Sequence, residues 1–529
     1  VANDAKLRFK MNTAFTTLAR DENQARGLAQ YALDFLVGKW NPPDAAVFSR
    51  LEQFHLDSVA CGVSAIALGE RAPLLLREEA LQYAVAPSQP GVPVFGSTVK
   101  VAPEKAVVAN SSAVREWDSN GTNFGYNPAV GATAGEFGHN DFYPVAIAAA
   151  QLAGYDGAQT LKAMLLLDEI RGRLAEVFAL RKYKIDHVVH GAIASAATYA
   201  AVLGATVDQI ESAIGLVVAH YIPFRAIRHG KQLSDSKGAS AAISAEVAVL
   251  SARRAMRGFR GPADIFRNPE AIFCLFEPPA KPHTSPFDLH LANSGGDFAI
   301  MGMHFKLGLY EHQSAGAIAG LMNLLEHHPQ LLADADAIRK ITISIYEPAF
   351  SIIGDPAKRD PRTRQSADHS MPYIIATLLR KALEQKQSGW QQLMLMPNDY
   401  DEAALVHPLT RQLMDRIDFH HGGAEYDGKY PDGIPTTLEI GHASLGHLSS
   451  GLVMYPEGHA RNDSGRLEEL LLHKFNLLAG LGVADPRSLE QRFTNLAGKS
   501  AEQITSLYDF EILSSPALAP ASLAAGPVA

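Results

Sequence analysis

Apolar positions recur with the period of a helix over most of this chain. In "QARGLAQYALDFLV", residues 24–37, Leu28, Tyr31, Ala32, Phe35 and Leu36 share one face. A second run, 44–69, follows Pro42 and Pro43 and is rich in small residues in its later half, which suits close helix contact. Pro103 sits at the first turn of a third helix that runs to Trp117. The same period predicts helices over 144–154, 157–180, 188–203, 206–220 and 237–257, several of them crowded with alanine and glycine. Beyond residue 270 the period changes. "KITISIYE", 340–347, alternates Ile341, Ile343 and Ile345 with polar partners, the pattern of a half-buried strand. Residues 436–444 and 448–459 read as further strands, with helices at 309–325 and 370–385 before them. After Pro456 the helical period returns, at 464–480, 486–498 and 500–510.

Helices, then a mixed stretch, then helices again predict a mainly α protein, with a discontinuous all-helical domain and an inserted smaller α+β lid domain. The boundaries fall at 1–275 for the first helical part, 276–457 for the lid and 458–529 for the C-terminal helical part. The N-terminal twenty residues are basic and hydroxyl-bearing and carry no secretory hydrophobic core. The final stretch, "SSPALAPASLAAGPVA", is a low-complexity tail expected to fray.

One segment interrupts the helical text. "VREWDSNGT", 114–122, is followed by seventeen residues rich in glycine and small polar groups that end at His139. Asp118, Thr122 and His139 are then loop residues. Loops on a rigid scaffold are where catalytic groups gather, although Asp, Ser, Asn and Gly also build plain turns. Four other stretches hold chemistry. "YKIDHVVHG" places His187 and His190 three apart at a helix start, either as a partial metal site or as one buried histidine beside a capping Asp186. "FRAIRHGKQLSDSKGASAA" gathers Arg225, Arg228, His229, Lys231 and Lys237 among glycine and serine, a composition suited to a carboxylate-binding wall or to a solvated face. "MGMHFKLGLYEHQSAG" sets Lys306 between apolar residues, where it snorkels or faces a polar cavity. "SADHSMPY" places His369 and Tyr373 four apart, as proton donor and orienter or as core polar groups.

Composition narrows the function. The 529 residues carry 47 basic and 56 acidic side chains, and no basic stripe of a nucleic-acid binder is present. A locally cationic pocket for an acidic substrate remains compatible with that balance. No run of eighteen apolar residues predicts a membrane span. The two cysteines, Cys61 and Cys274, lie in apolar text and read as buried inert thiols. They are too few to supply the thiolates of an ordinary iron–sulfur cubane. Nucleophilic-serine motifs, phosphate loops and dinucleotide fingerprints are absent from the sequence.

The order of "VREWDSNGT", "GHND", "YKIDHVVHG", "SDSKGASAA", "MHFKLGLYEHQSA", "SADHSMPYI" and "YPEGHARND" resembles the MmgE/PrpD family, and within it most closely the 2-methylcitrate dehydratases. Asn120 and Gly121 depart from that family's commoner D-F-D-D-T form, while Asp118 and Thr122 stay in place. The resemblance implies a helical domain with a smaller α+β lid, a homodimer and an active site between domains. It also implies elimination of water from a small tricarboxylate, with no metal or other cofactor and no nucleic-acid or membrane partner. Carried onto this chain, the catalytic residues are Asp118, His139, His187, Lys237 and Tyr373, with Thr122, Arg225, Arg228 and Lys306 binding substrate. His190 competes with His187 for one position, and the base and acid are open between the histidines and Tyr373. A cytoplasmic location is implied, or the mitochondrial matrix in a eukaryote. The alternatives are a cis-aconitate decarboxylase or small-acid epimerase of the same family, and a non-catalytic helical scaffold.

Overall fold

The computed structural model describes residues 14–229 and 232–513. Lys231 of the basic run, the first thirteen residues and the low-complexity tail lie outside them. The fold is mainly α with a small mixed sheet.

Helix Asp235–Met256 is central to the helical part. It packs on Pro103–Arg115, Val188–Val202 and Val207–His220. Apart from Lys237 and Val249 its buried face is glycine, alanine and serine, which let neighbouring backbones approach. Helix Val188–Val202 is buried at every position, as its all-round apolar text requires. Gly191 within it has no alternative, because a Cβ there would sit 2.1 Å from the Phe142 ring. Helices Gly157–Val177 and Val207–His220 start on reciprocal capping boxes, Asp156 with Gln159 and Thr206 with Gln209. Among the described residues no single helix is long and apolar enough to cross a membrane. Both cysteines are buried, and burial pushes the Cys61 thiol up to about 12, so it stays protonated and unreactive.

The sheet runs Gly446–Ser449, Thr436–His442, Ile338–Ile345, Ile417–His421 in spatial order. Ile338–Ile345 is parallel to Ile417–His421 and antiparallel to Thr436–His442. Helix Ala315–His327 packs on the sheet, helix Met371–Gln385 packs on Ala315–His327, and Leu467–Ala479 returns to pack on Ala45–Ala67.

Four elements differ from the sequence expectation. The helix expected over 309–325 begins only at Ala315, because the Glu311 side chain accepts from the Gln313 amide and caps a short turn, leaving the preceding residues non-helical. The strand expected over 448–459 stops at Ser449, where left-handed Gly451 and Gly458 and then Pro456 break the ladder. Helix Arg71–Leu81 and strand Ile417–His421 were not expected; "IDFHH" has too few apolar positions to show alternation.

Candidate active site

The glycine-rich polar segment is a structural junction. Helix Pro103–Arg115 ends just before Asp118, which adopts a left-handed φ of 50° that aspartate tolerates. Gly121 follows because a Cβ would lie 2.4 Å from the Phe54 ring. Thr122–Asn123 then pairs antiparallel with Gly138–His139, placing Thr122 opposite His139. Thr122 also exchanges backbone hydrogen bonds of 3.0 and 2.7 Å with His304, which joins the junction to the strand-like run before Lys306. Lys474, on the distant helix Leu467–Ala479, locks both pieces. Its ammonium donates to the carbonyls of Ser119 at 2.7 Å and Lys306 at 2.8 Å and pairs with Asp57 at 2.7 Å.

These segments wall a cavity of about 750 Å³, within the range of small-molecule sites. Asp118, Thr122, His139, His187, Arg225, Arg228 and Lys306 all line it. At its floor Asp118 is buried and meets four cationic or ionisable partners. Lys306 stands at 2.6 Å, His369 Nε2 at 2.9 Å, Lys237 at 3.4 Å, and Arg115 is bonded to it. Burial alone would raise this carboxyl, but Arg115, Lys306 and Lys237 outweigh it and hold Asp118 well below the usual carboxylate range. His369 is gripped from its other side by Asp368 at 2.5 Å, and Asp368 in turn takes Lys237 at 3.1 Å and Arg364 at 3.1 Å.

Asp118, Asp368 and His369 bring ligand atoms within 4.8 Å of one another, close enough to hold a cation. Their charge is already answered: Lys237 bridges the two carboxylates, and Lys306, Arg115 and Arg364 complete them. Dialysis against a strong chelator is therefore expected to leave both melting temperature and turnover unchanged. Activity lost on dialysis and restored by one metal would overturn this.

The rings of His139 and His187 lie 5.1 Å apart, centre to centre. His187 Nδ1 is 3.2 Å from Asp186, whose carboxylate is also bonded by Arg228. His139 Nδ1 is buried and has no hydrogen-bond partner among the described residues. Burial first, then nearby cations (Arg115 and Lys306 for His139, Arg228 and Arg115 for His187), hold both rings well below the ordinary histidine value, so both are neutral at pH 7. His190 points elsewhere, its Nε2 3.0 Å from the Phe178 carbonyl, so the histidine pair of "YKIDHVVHG" does not converge on one ligand.

Two sequence candidates take other places. Tyr373, expected as a catalytic acid, is not on the cavity wall; its buried hydroxyl donates to the Asp399 carbonyl at 2.7 Å beside the Tyr400 ring. Burial pushes that phenol further up, and its proton is already engaged. Lys237 also stands behind the wall, reaching the site only through Asp118 and Asp368. Arg228 is spent on Asp186. Arg225 is different: one Nη1 is buried with no partner among the described residues. Lys358 and Lys184 join it on the wall. Phe124, Phe137, Ile352 and Ile353 supply the apolar remainder.

Sequence reasoning did not select Arg115, Lys358, Glu311, Asp368 or Lys474, and left His369 aside in favour of Tyr373. Arg115, Glu311 and Asp368 lie inside motifs that carried the resemblance; Lys474 sits in an ordinary amphipathic helix and gives no local signal.

Residues 26–284 match the family model described as the MmgE/PrpD N-terminal domain, and residues 310–496 match the MmgE/PrpD C-terminal domain. Among curated proteins, a 2-methylcitrate dehydratase of Salmonella typhi is 25% identical over 445 residues, 80% of this chain and 84% of that protein. A 2-methylcitrate dehydratase of Escherichia coli K12 is 24% identical over 461 residues, 84% of this chain and 87% of that protein. A mitochondrial 2-methylcitrate dehydratase of Yarrowia lipolytica is 23% identical over 498 residues, 90% of this chain and 88% of that protein.

Proposed function

We propose that this chain, which belongs to the MmgE/PrpD family, is a hydro-lyase that eliminates water from 2-methylcitrate to give 2-methyl-cis-aconitate. The observation that carries the reading is a neutral His139, with a buried and unpartnered Nδ1, on the wall of a cavity that Arg225 and Lys358 also line. That pairing suits removal of a proton from the carbon beside a carboxylate.

Such a proton is weakly acidic, since its loss puts more negative charge next to an existing anion. Fixed cations aimed at that carboxylate stabilise the charge as it develops. Arg225 and Lys358 take this part; Arg115, Lys237 and Lys306 are committed to Asp118, and Arg228 to Asp186. His139 takes the proton. Being neutral at pH 7, it needs no prior deprotonation. Thr122 donates its hydroxyl proton to the Gly138 carbonyl at 3.0 Å, which leaves its oxygen lone pairs to receive a substrate hydroxyl. Asp118 and Asp368 fix the orientation of His369 at the cavity wall. The route asks for no cofactor.

The test is incubation of the purified protein with 2-methylcitrate and, separately, with cis-aconitate, with products read by NMR. The expected result is 2-methylaconitate from the first and at most slow hydration of the second. A carboxylate held by arginine and lysine is disfavoured from leaving as neutral carbon dioxide, because departure forfeits charge-assisted contacts. Itaconate formed from cis-aconitate at a comparable rate would overturn the reading in favour of decarboxylation. In the same assay Arg225→Ala should raise KM roughly 10- to 150-fold, equivalent to losing a hydrogen bond to a charged group worth about 1.5–3 kcal/mol. An unchanged KM would remove Arg225 from the binding site.

A further inference from the structure

Elimination needs a second proton, delivered to the departing hydroxyl, and Tyr373 is not placed to give it. We propose that Glu311 is the catalytic acid, whose unpartnered carboxyl oxygen on the cavity wall hands a proton to the leaving hydroxyl. The inference rests on the dehydratase reading and names a residue that reading left unassigned.

Glu311 lies on the cavity wall beside His312, at the end of the non-helical run that begins at Lys306. Its backbone amide donates to the Asp368 carbonyl at 2.9 Å, fixing it next to the His369 segment. One carboxyl oxygen, Oε1, accepts from the Gln313 amide at 2.9 Å. The other, Oε2, is buried and has no partner among the described residues. An ionised oxygen in that position would be a stranded anion, the costly case for a buried acceptor. A protonated oxygen is instead a donor lacking only its acceptor, and the cavity is where that acceptor arrives.

The surrounding charges agree. Burial pushes Glu311 up to about 8, and the Asp118 carboxylate adds to that, while the Gln313 amide, Lys306 and Lys237 pull the other way. Lys358 faces it from the helix turn at Pro356–Arg359, and the phenols of Tyr346 and Tyr430 complete its ionisable surroundings. His139 and Glu311 line the same cavity, and Lys306 and Asp118 act electrostatically on both.

The step balances. His139 accepts the proton from carbon, and the C–H electron pair becomes the new C=C bond. The C–O bond breaks, and its oxygen leaves as water with the Glu311 proton. Histidinium and carboxylate are left, and proton return through solvent restores both. Activity should then plateau between the depressed histidine range and about pH 8, falling on the alkaline side as Glu311 ionises.

The test compares Glu311→Gln with wild type on two substrates: 2-methylcitrate, and its analogue with fluorine in place of the hydroxyl, from which fluoride departs without needing a proton. For the hydroxyl substrate kcat should fall roughly 10²- to 10⁴-fold with KM little changed, while fluoride release should slow by less than about tenfold. The alkaline limb near pH 8 should vanish in this variant. Equal slowing of both substrates, or wild-type dehydration by Glu311→Gln, overturns the assignment. Should Glu311→Gln melt far below wild type, Glu311→Asp replaces it: partial activity with a displaced alkaline limb supports the role, and an unmoved limb refutes it. A wild-type protein that dehydrates no hydroxytricarboxylate fells the dehydratase reading and this assignment together. Active wild type with an equally active Glu311→Gln fells this assignment alone.

Discussion

Asp118→Asn is expected to cost the fold about 3–5 kcal/mol, the range for stranding a buried charge. Asparagine accepts the left-handed backbone that Asp118 adopts, so the change isolates the carboxylate charge from the turn. What remains is a buried cluster of Arg115, Lys237 and Lys306 with its central anion gone. Asp141, 3.5 Å from Arg115, compensates only one of the three cations, and Asp368 is already shared between Lys237, Arg364 and His369. Urea unfolding of wild type and variant measures the loss as a shift in midpoint at constant slope. The double variant Asp118→Asn, Lys237→Met should recover part of it, because one surplus cation leaves with the anion; neighbours in one network are not additive. A single variant as stable as wild type would mean that the cluster does not carry the charges drawn here. The same logic applies to Lys237→Ala and Lys306→Ala, which remove a buried partner of Asp118 and so lower stability as well as turnover.

The second large effect is on rate. His139→Ala should slow proton abstraction by roughly 10²–10⁴-fold, the span for losing a positioned acid or base. Single-turnover measurements isolate that step, and substrate binding measured by calorimetry should change far less. Collapse of binding with a persistent single-turnover rate would make His139 a binding residue and move the base to His187. The wild-type acid limb checks the same assignment from another side. Burial and the cations hold the His139 ring below its ordinary value, so activity should persist as pH falls past about 6.5, the value for an unperturbed imidazole.

Helical period carried most of the architecture. The buried helices are long, and their text matches 3.6 residues per turn, as at Gln24–Leu36 and Met371–Gln385. Reading failed where a single side chain, rather than a period, decides the backbone. Glu311 fixes where the helical run begins, by capping the short turn that leads into Ala315–His327, and its neighbours give no warning of it. For the site, residue types were legible and partners were not. Lys306 and Asp118 are 188 positions apart, and only the fold shows that this lysine is spent on a carboxylate rather than left for substrate. His369 and Tyr373 illustrate the same limit. Both are buried or nearly so, four positions apart, yet one faces Asp118 in the cavity and the other faces the Asp399 carbonyl on the far side of its helix start.

The lock made by Lys474 bears on how the protein is made. A nascent chain that has reached residue 305 already holds Arg115, Asp118, Asp141 and Lys237, but not Lys306, Arg364, Asp368 or Lys474. Emerging chains organise from the N-terminal side at about 5–20 residues per second. The segment from Asp118 to His139 therefore spends seconds on the ribosome with Lys306, His369 and Lys474 still unsynthesised, and its final shape waits for the helix Leu467–Ala479. Termination before Lys474 is added would leave a largely helical product whose cavity floor has no clamp.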